Sequence, residues 1–517
     1  MKAVRRETLP VLVADEIRRD ILHGILKPGE KLPSEGELSS VLAVGRPTMR
    51  EALRILEGQG LIRFRFSGGA YVSNQAKVGQ EASAYFKQEE TIELLGFELV
   101  QLEQEGRAVT DEMRKAYLKL KEEHGPRSIQ DFYRLLEGCD PVPGFRYEEP
   151  SDMAAICRCR PSGAAEVRRE VGPSLAKLHG AWLGRCIGCT IGKPFEGWTM
   201  ENIEAYLRAS DCYPLTGYAP YFPENYPGAD CSFHPTAIDA TSGKLGCVPR
   251  DDDIDYTILG LDNLLKNGMD FTTEDLAEEW LENLPFKLTY TAEKQAYANL
   301  VNGIKPPATA LYQNPFREWV GAQIRSDIYG YVCPGDPGGA AALAYKDAVL
   351  SHVKNGVYGA MFVAATLASA LAGDDLAEAI ETGISVVPAG SRLAELVSEA
   401  MQWSREGLDW RAMHDRALDM FPEHHPAHVL PNVAAILIGL LRSESDFRTA
   451  VTRAVMCGWD TDCVGATTGS IMGAFLGVDA VPRDLSKPLN DTVKSIIPGY
   501  DDSNISELAR KTYDLIR

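Results

Sequence analysis

Gly184, Gly188 and Gly192 recur at every fourth residue of Leu183–Gly192. Residues four apart share one face of a helix. The repeat therefore strips a face of its side chains and predicts a helix that lets a second helix approach closely. Pro194 ends that helix, since proline cannot continue the hydrogen-bond ladder. The turn Pro194-Phe195-Glu196-Gly197 follows, so Glu196 stands just past a buried helix, where a carboxylate is either functional or solvated. Gly192-Lys193 invites comparison with a phosphate-binding loop. The spacing is one residue short, however, and Pro194 replaces the hydroxyl residue such a loop needs. A second stretch poor in side-chain bulk, Gly465–Ala474, reads as another helix packed tightly inside the protein.

Two acidic clusters open apolar helices. Gly458-Trp459-Asp460-Thr461-Asp462-Cys463 precedes the second small-residue stretch, and Arg250-Asp251-Asp252-Asp253-Ile254-Asp255 opens the segment to Leu261. Asp460 and Asp462 are two positions apart and cannot share a face of a regular helix. On a turn before a helix they can converge on one point. Hard oxygen donors so arranged suit Mg²⁺, Ca²⁺ or Mn²⁺. Helix capping explains acids at these places as well. Three consecutive Asp exceed what a cap needs, and a cation offsets their repulsion most simply.

Length and charge bound the rest. At 517 residues the chain predicts two or more domains. No apolar segment follows a basic start, and the runs near Met361–Gly373 and Val433–Leu441 fall short of the roughly 20 residues that span a bilayer. Eleven scattered cysteines fit reduced thiols, so a cytoplasmic protein with no membrane partner is expected. Cys186-x-x-Cys189 has no matching second pair for zinc. Net charge is −20, yet residues 1–77 carry 13 Lys+Arg against 9 Asp+Glu, which confines nucleic-acid contact to this head.

Within the head, Leu12, Val13, Ile17, Ile21 and Leu22 predict a helix, Ser34 caps a second over Glu35–Leu42, and Arg46–Leu56 starts a third. Leu61–Phe66 and Ala70–Val72 read as a hairpin around Ser67-Gly68-Gly69. That order is a winged helix-turn-helix, whose third helix suits the DNA major groove. Residues 78–170 read as a connector, with helices at Gln80–Phe86, Thr91–Glu105 and Thr110–Glu123 and a proline-marked break over Asp140–Pro150. The body spans 171–517. His424-His425-Pro426-Ala427-His428 reads as a loop entering the helix at Val433–Leu441, and Cys333–Gly339 as a loop at a cleft mouth.

Residues about 10–73 resemble the DNA-binding domain of GntR-type regulators, through Pro28–Leu38, Arg46–Leu53 and Leu56–Val72. The resemblance implies that Arg46, Thr48, Arg50, Gly68 and Gly69 face DNA and that a homodimer reads two half-sites. Gly36 stands where that family usually has Arg. Gly45 stands where it has a Ser cap, a change worth only roughly a few tenths of a kcal/mol.

Residues about 175–480 are similar to the ADP-ribosylglycohydrolase family, through Gly180–Glu196, Asp251–Ile258, Gly321–Arg325, Ser351-His352 before Gly356, and Gly458–Cys463. Cys189 stands where many members have Asp, Asp251 and Ile254 where they have Thr, and Cys463 in the final Thr position. The resemblance implies a mainly α protein: a small winged helix-turn-helix (α with a β-hairpin wing) followed by a large all-α orthogonal bundle. It implies two Mg²⁺ ions between Asp251, Asp252, Asp253 and Asp460, Asp462, Cys463. Catalytic roles fall to Glu196, Asp252 and Asp253, and contacts to an ADP-ribosylated substrate or ADP-ribose-like ligand to His352, Arg325 and Gly356. The expected activity is hydrolysis of a ribosyl glycosidic bond. Two alternatives are a regulator whose body only senses a nucleotide-ribose ligand, and an enzyme whose winged helix serves for dimerisation.

Overall fold

The computed structural model describes residues 9–10, 13–14, 17, 21, 26, 30–42, 44–58, 61–64, 70–72, 88–123, 126–161, 168–222 and 232–517. The chain divides into two compact units: residues 1–142 with 294–305, and residues 143–293 with 306–517.

In the first unit, described residues between 9 and 21 are helical, and α1 (Glu35–Val41) and α2 (Arg46–Gly58) follow. The predicted cap is present as a capping box. Glu37 N–H donates to Ser34 Oγ at 3.3 Å, and Ser34 N–H donates to Glu37 Oε2 at 2.7 Å. Strands β1 (Ile62–Phe64) and β2 (Ala70–Val72) pair antiparallel with Ile62 opposite Val72. Val13, Ile17, Ile21, Leu38, Met49, Leu53, Leu56, Ile62 and Val72 bury one core between these elements. The predicted glycine turn, with Gly68 and Gly69, lies outside the described residues, as does the helix expected at Gln80–Phe86.

The charged stretch beyond is a three-helix layer: α3 (Gln88–Gln104), α4 (Asp111–Glu123) and α5 (Pro126–Glu137). It has its own core of Leu95, Leu99, Leu102, Leu120, Phe132 and Leu136. Residues 143–160 belong to the larger unit. There Glu148 N–H donates to Gly390 O at 2.9 Å, and Tyr345 Oη donates to Ser151 O at 3.0 Å.

The larger unit is helical apart from short pieces such as the strand pair Thr492–Val493 and Ser503–Asn504. Its main helices include α6 (Leu175–Gly192), α7 (Asp252–Asn267), α8 (Lys354–Ala372), α9 (Val429–Leu441) and α10 (Thr461–Leu476), of which α6, α7, α9 and α10 meet at the site. The apolar runs of the sequence lie in α8 and α9. Helix α8, at 19 residues, is long and apolar enough to cross a membrane by length and composition, but 89% of its apolar window is buried inside the unit. Core packing accounts for that apolar surface.

The glycine stripe packs as its spacing predicts, and its partner is the second small-residue stretch. Helices α6 and α10 run antiparallel, with Gly180 against Gly473, Gly184 against Gly469, Gly188 against Gly465, and Gly192 against Thr461. At each pairing a Cβ on α6 would overlap a backbone carbonyl of α10. The helices therefore touch backbone to backbone.

This contact makes a stability prediction. Gly188→Ala or Gly465→Ala should destabilise the protein by about 1–3 kcal/mol through overpacking. Gly246→Ala, where a Cβ meets nothing within 4 Å, should be close to neutral. Chemical denaturation of the three variants checks the contrast.

Candidate metal centre

Antiparallel packing brings the last turn of α6 against the first turn of α10. Thr461 Oγ1 donates to Gly192 O at 2.8 Å, and Gly197 N–H donates to Trp459 O at 2.9 Å. Gly458 has φ +82°, and any side chain there would meet the Trp198 backbone. The turn can form only with glycine at that position. It delivers Asp460 as the residue before α10. Asp460 makes no side-chain capping bond, so the capping alternative fails at this position. Its own N–H donates to Asn432 Oδ1 on α9 at 3.2 Å.

The first turn of α7 supplies the third side. Asp251 does cap this helix, Oδ1 accepting from Asp253 N–H at 3.1 Å. Its Oδ2 is ion-paired with the Lys193 ammonium. Arg185, a fully buried cation on α6, fixes the turn. It donates to Asp253 O at 2.7 Å and Ile324 O at 2.6 Å, and pairs with Asp253 Oδ1 at 3.2 Å and Asp327 Oδ1 at 3.0 Å.

Three overlapping groups of potential ligands result. Cys189, Asp251 and Asp253 form one, Asp253, Asp462 and Cys463 a second, and Glu196, Asp460 and Asp462 a third. Within each, one ligand atom per residue lies within 4.8 Å of the others. Asp253 and Asp462 are shared, so the groups make a continuous row from Cys189 to Glu196. Most of it is buried, and Glu196 stands at the exposed edge.

The charge is poorly compensated. The Asp462 charge beside it pushes the Glu196 carboxyl up to about 9. Burial and then Asp251 push Asp252 up to about 8. Burial also raises Asp253, Asp460 and Asp462, with neighbouring carboxylates adding to it. For Asp251 burial acts upward, but the Lys193 ammonium more than offsets it and holds the carboxyl low. The Cys189 and Cys463 thiols are raised by burial. A carboxylate row that must otherwise hold protons is the electrostatic setting in which a divalent cation is stabilised.

Of the residues singled out in the sequence, Glu196, Asp251, Asp253, Asp460, Asp462 and Cys463 are brought together, and half-buried Asp252 adds charge beside them. Arg325, His352 and Gly356 are held elsewhere. The Arg325 guanidinium pairs with Asp347 at 2.6 Å and with Glu293, and donates to Ser351 Oγ at 2.9 Å. That hydroxyl lies 2.8 Å from His352 Nδ1, and His352 is buried and packed against Gly356. Lys193 and Arg185 were not singled out as site residues. Their signal was a cation within the glycine-striped half of that helix and another at its end. His428 caps α9, its Nδ1 accepting from Leu430 N–H at 3.2 Å, and His425 stacks on Trp319 at 4.1 Å. The expected loop at Cys333–Gly339 ends at Asp336, which caps a helix over Pro337–Ala348; Cys333, Asp336 and Gly339 line a separate surface cavity of about 960 Å³ with Arg168, Arg169 and Lys346. On α2, Arg46 and Arg50 are exposed and Thr48 is half-buried; Arg50 pairs with Glu35 at 2.8 Å.

The larger unit is thus a helical body with an acid row where three helix ends meet, and a winged helix precedes it in the chain. The family model described as ADP-ribosylglycohydrolase matches residues 172–517, and that described as bacterial regulatory proteins, gntR family, matches 11–72. The chain belongs to the ADP-ribosylglycohydrolase family and carries an N-terminal GntR-type domain. Named relatives match in the head. The HTH-type transcriptional regulator Mce2R of Mycobacterium tuberculosis is 43% identical over 65 residues, 13% of this chain and 27% of that protein. The Mannosyl-D-glycerate transport/metabolism system repressor MngR of Escherichia coli is 41% identical over 63 residues, 12% of this chain and 26% of that protein. The match thus spans about a quarter of the length of these relatives. A solved structure, an ADP-ribosylglycohydrolase-related protein complex, is 20% identical with TM-score 0.40, covering 66% of this chain and 99% of that chain.

The raised carboxyls predict a pH effect. A carboxyl with a higher pKa folded than unfolded keeps its proton longer in the native state, so stability falls as pH rises between the two values. The window runs from roughly 4 to about 8 for Asp252 and about 9 for Glu196. Chelator-treated protein should therefore melt at lower temperature at pH 9 than at pH 6. Asp460→Asn with Asp462→Asn should flatten that dependence in a thermal melt.

Proposed function

We propose that the protein is a DNA-binding regulator whose body hydrolyses an ADP-ribosyl or related ribosyl glycosidic bond in a Mg²⁺-dependent reaction. The observation that carries the reading is the convergence of Glu196, Asp253, Asp460 and Asp462 from three helix ends. Their oxygens fit divalent cations, with Asp253, Asp460 and Asp462 as the holding residues and Asp462 shared between positions. When bound, such ions would grip ribose hydroxyls and lower the pKa of water.

The chain's own residues supply the rest. Glu196 sits at the exposed edge, where a substrate can reach it. Its carboxyl is held up chiefly by the Asp462 charge, so neutralising that charge releases its proton. Ionised Glu196 can then orient a water and take its proton as that water attacks the anomeric carbon. The remaining carboxylates stabilise the positive charge of the oxocarbenium-like transition state. Arg185 holds Asp253 and Lys193 holds Asp251, so neither acid has to move during turnover. In the head, exposed Arg46 and Arg50 on α2 would contact duplex DNA, Arg50 after leaving or sharing Glu35.

A second reading, a body that senses a ribosylated ligand without cleaving it, is favoured by one observation: Lys193 already occupies Asp251, one of the expected metal ligands. The readings separate in a hydrolase assay on ADP-ribosylated arginine, serine and nucleic acid. The enzyme reading expects turnover that falls by about 10²-fold or more in Asp460→Ala with Asp462→Ala. Turnover unchanged in that variant would overturn it. The sensor reading expects no turnover and an ADP-ribose effect on DNA mobility shift.

For the head, Arg46→Ala and Arg50→Ala should each weaken DNA binding by about 1–3 kcal/mol if they read bases. A uniform loss over unrelated sequences, with a shallower salt dependence, would identify phosphate contacts instead.

A further inference from the structure

The three ligand groups differ in hardness along the row, and that difference is independent of whether any bond is cleaved. At the inner end, Cys189, Asp251 and Asp253 are served by a resident cation. Lys193 pairs with Asp251 Oδ2, while Oδ1 accepts the Asp253 N–H at 3.1 Å. Both Asp251 oxygens are therefore engaged. The middle group, Asp253, Asp462 and Cys463, offers two carboxylates and a thiol, all buried. Its sulfur comes from the first turn of α10, fixed by backbone contact with α6. At the outer edge, Glu196, Asp460 and Asp462 offer carboxylates only. Carboxylate sets suit hard ions such as Mg²⁺, whereas a thiolate selects borderline and soft ions such as Zn²⁺.

We infer that the centre is asymmetric: Asp253, Asp462 and Cys463 hold a zinc-like ion through a Cys463 thiolate, beside a carboxylate-only position that takes a hard ion. The inference rests on the reading of this row as a metal centre. Binding at the middle position converts the Cys463 thiol to thiolate, with its proton released to solvent. Cys189 stays outside the ion's ligand set, because Asp251 in its group is already engaged by the Lys193 ammonium and the Asp253 N–H.

Co²⁺ added to chelator-treated, full-length protein tests this, since a cobalt–thiolate bond gives an intense near-ultraviolet charge-transfer band. The expected result is such a band, saturating at one equivalent, displaced by Zn²⁺ and persisting in a large excess of Mg²⁺. Cys463→Ser should abolish it and Cys189→Ser should keep it. Co²⁺ bound with only weak visible bands would overturn the thiolate assignment while leaving the metal centre standing. A band lost in Cys189→Ser but kept in Cys463→Ser would overturn the choice of sulfur. No Co²⁺, Zn²⁺ or Mg²⁺ binding by calorimetry would overturn both the inference and the metal reading beneath it. The band, its stoichiometry and the Zn²⁺/Mg²⁺ competition are read in unaltered protein, so the outcome does not depend on a variant's folding.

Discussion

Helices α6 and α10 meet through their backbones, and the distance this sets decides what lies at their ends. With ordinary side chains between them, helices pack about 8–10 Å apart. Glycine at 180, 184, 188 and 192, facing Gly473, Gly469, Gly465 and Thr461, removes that spacer. Four successive pairings also fix the register, since a slide by one residue would put Leu183 or Arg185 where a glycine now fits. The ends of the two helices can then carry a site to better precision than loops would allow. Thr461 and Gly192 share a hydrogen bond at the point where the acids begin.

Burying charge around that contact needs compensation, and the same device recurs. Arg185 is paired with Asp253 and Asp327, Arg325 with Glu293 and Asp347, and Arg392 with Glu149 and Glu318. Each buried cation has two carboxylate partners drawn from distant parts of the chain. Such groups add little net stability over an apolar core, but removing one partner leaves an unpaired buried charge. Arg185 differs from the others in its neighbour. One of its carboxylates, Asp253, is also a candidate ligand, so the core charge network and the site share an atom group. Among the described residues, the ion pairs of the row are those of Arg185 with Asp253 and Lys193 with Asp251, so the acids toward Glu196 are less fully compensated.

Much of this was legible in the sequence because it depends on local pattern. A glycine period of four predicts a close-packed helix whatever its partner, and Asp runs before apolar segments mark helix starts. The capping box at Ser34 and Glu37 and the wing strands of the head are equally local. What escaped depends on long-range direction. Arg325 reads as a site residue only through the family resemblance, yet its guanidinium follows Glu293 and Asp347, 32 and 22 residues away. Lys193 was weighed only as part of a phosphate loop. Its partner Asp251 lies 58 residues on, and no local rule joins them. Within the connector no helix is expected over α5, although Ile129, Phe132 and Leu136 recur at helical spacing; that Phe132 and Leu136 share a core with α3 depends on long-range packing.

The two departures from an all-oxygen site fall at different distances from the resident cation, and this orders them. Cys189 lies in the group that contains Asp251, where an ammonium already supplies positive charge and a neutral thiol costs nothing electrostatically. Cys463 lies between Asp253 and Asp462, both raised by burial, with no described cation of its own beyond the shared Arg185 contact to Asp253. A neutral thiol there would lessen the repulsion in the metal-free protein, and a thiolate would add a soft donor in the metal-bound one. With Cys463 as a ligand, the same residue would ease the metal-free protein and shift the choice of ion.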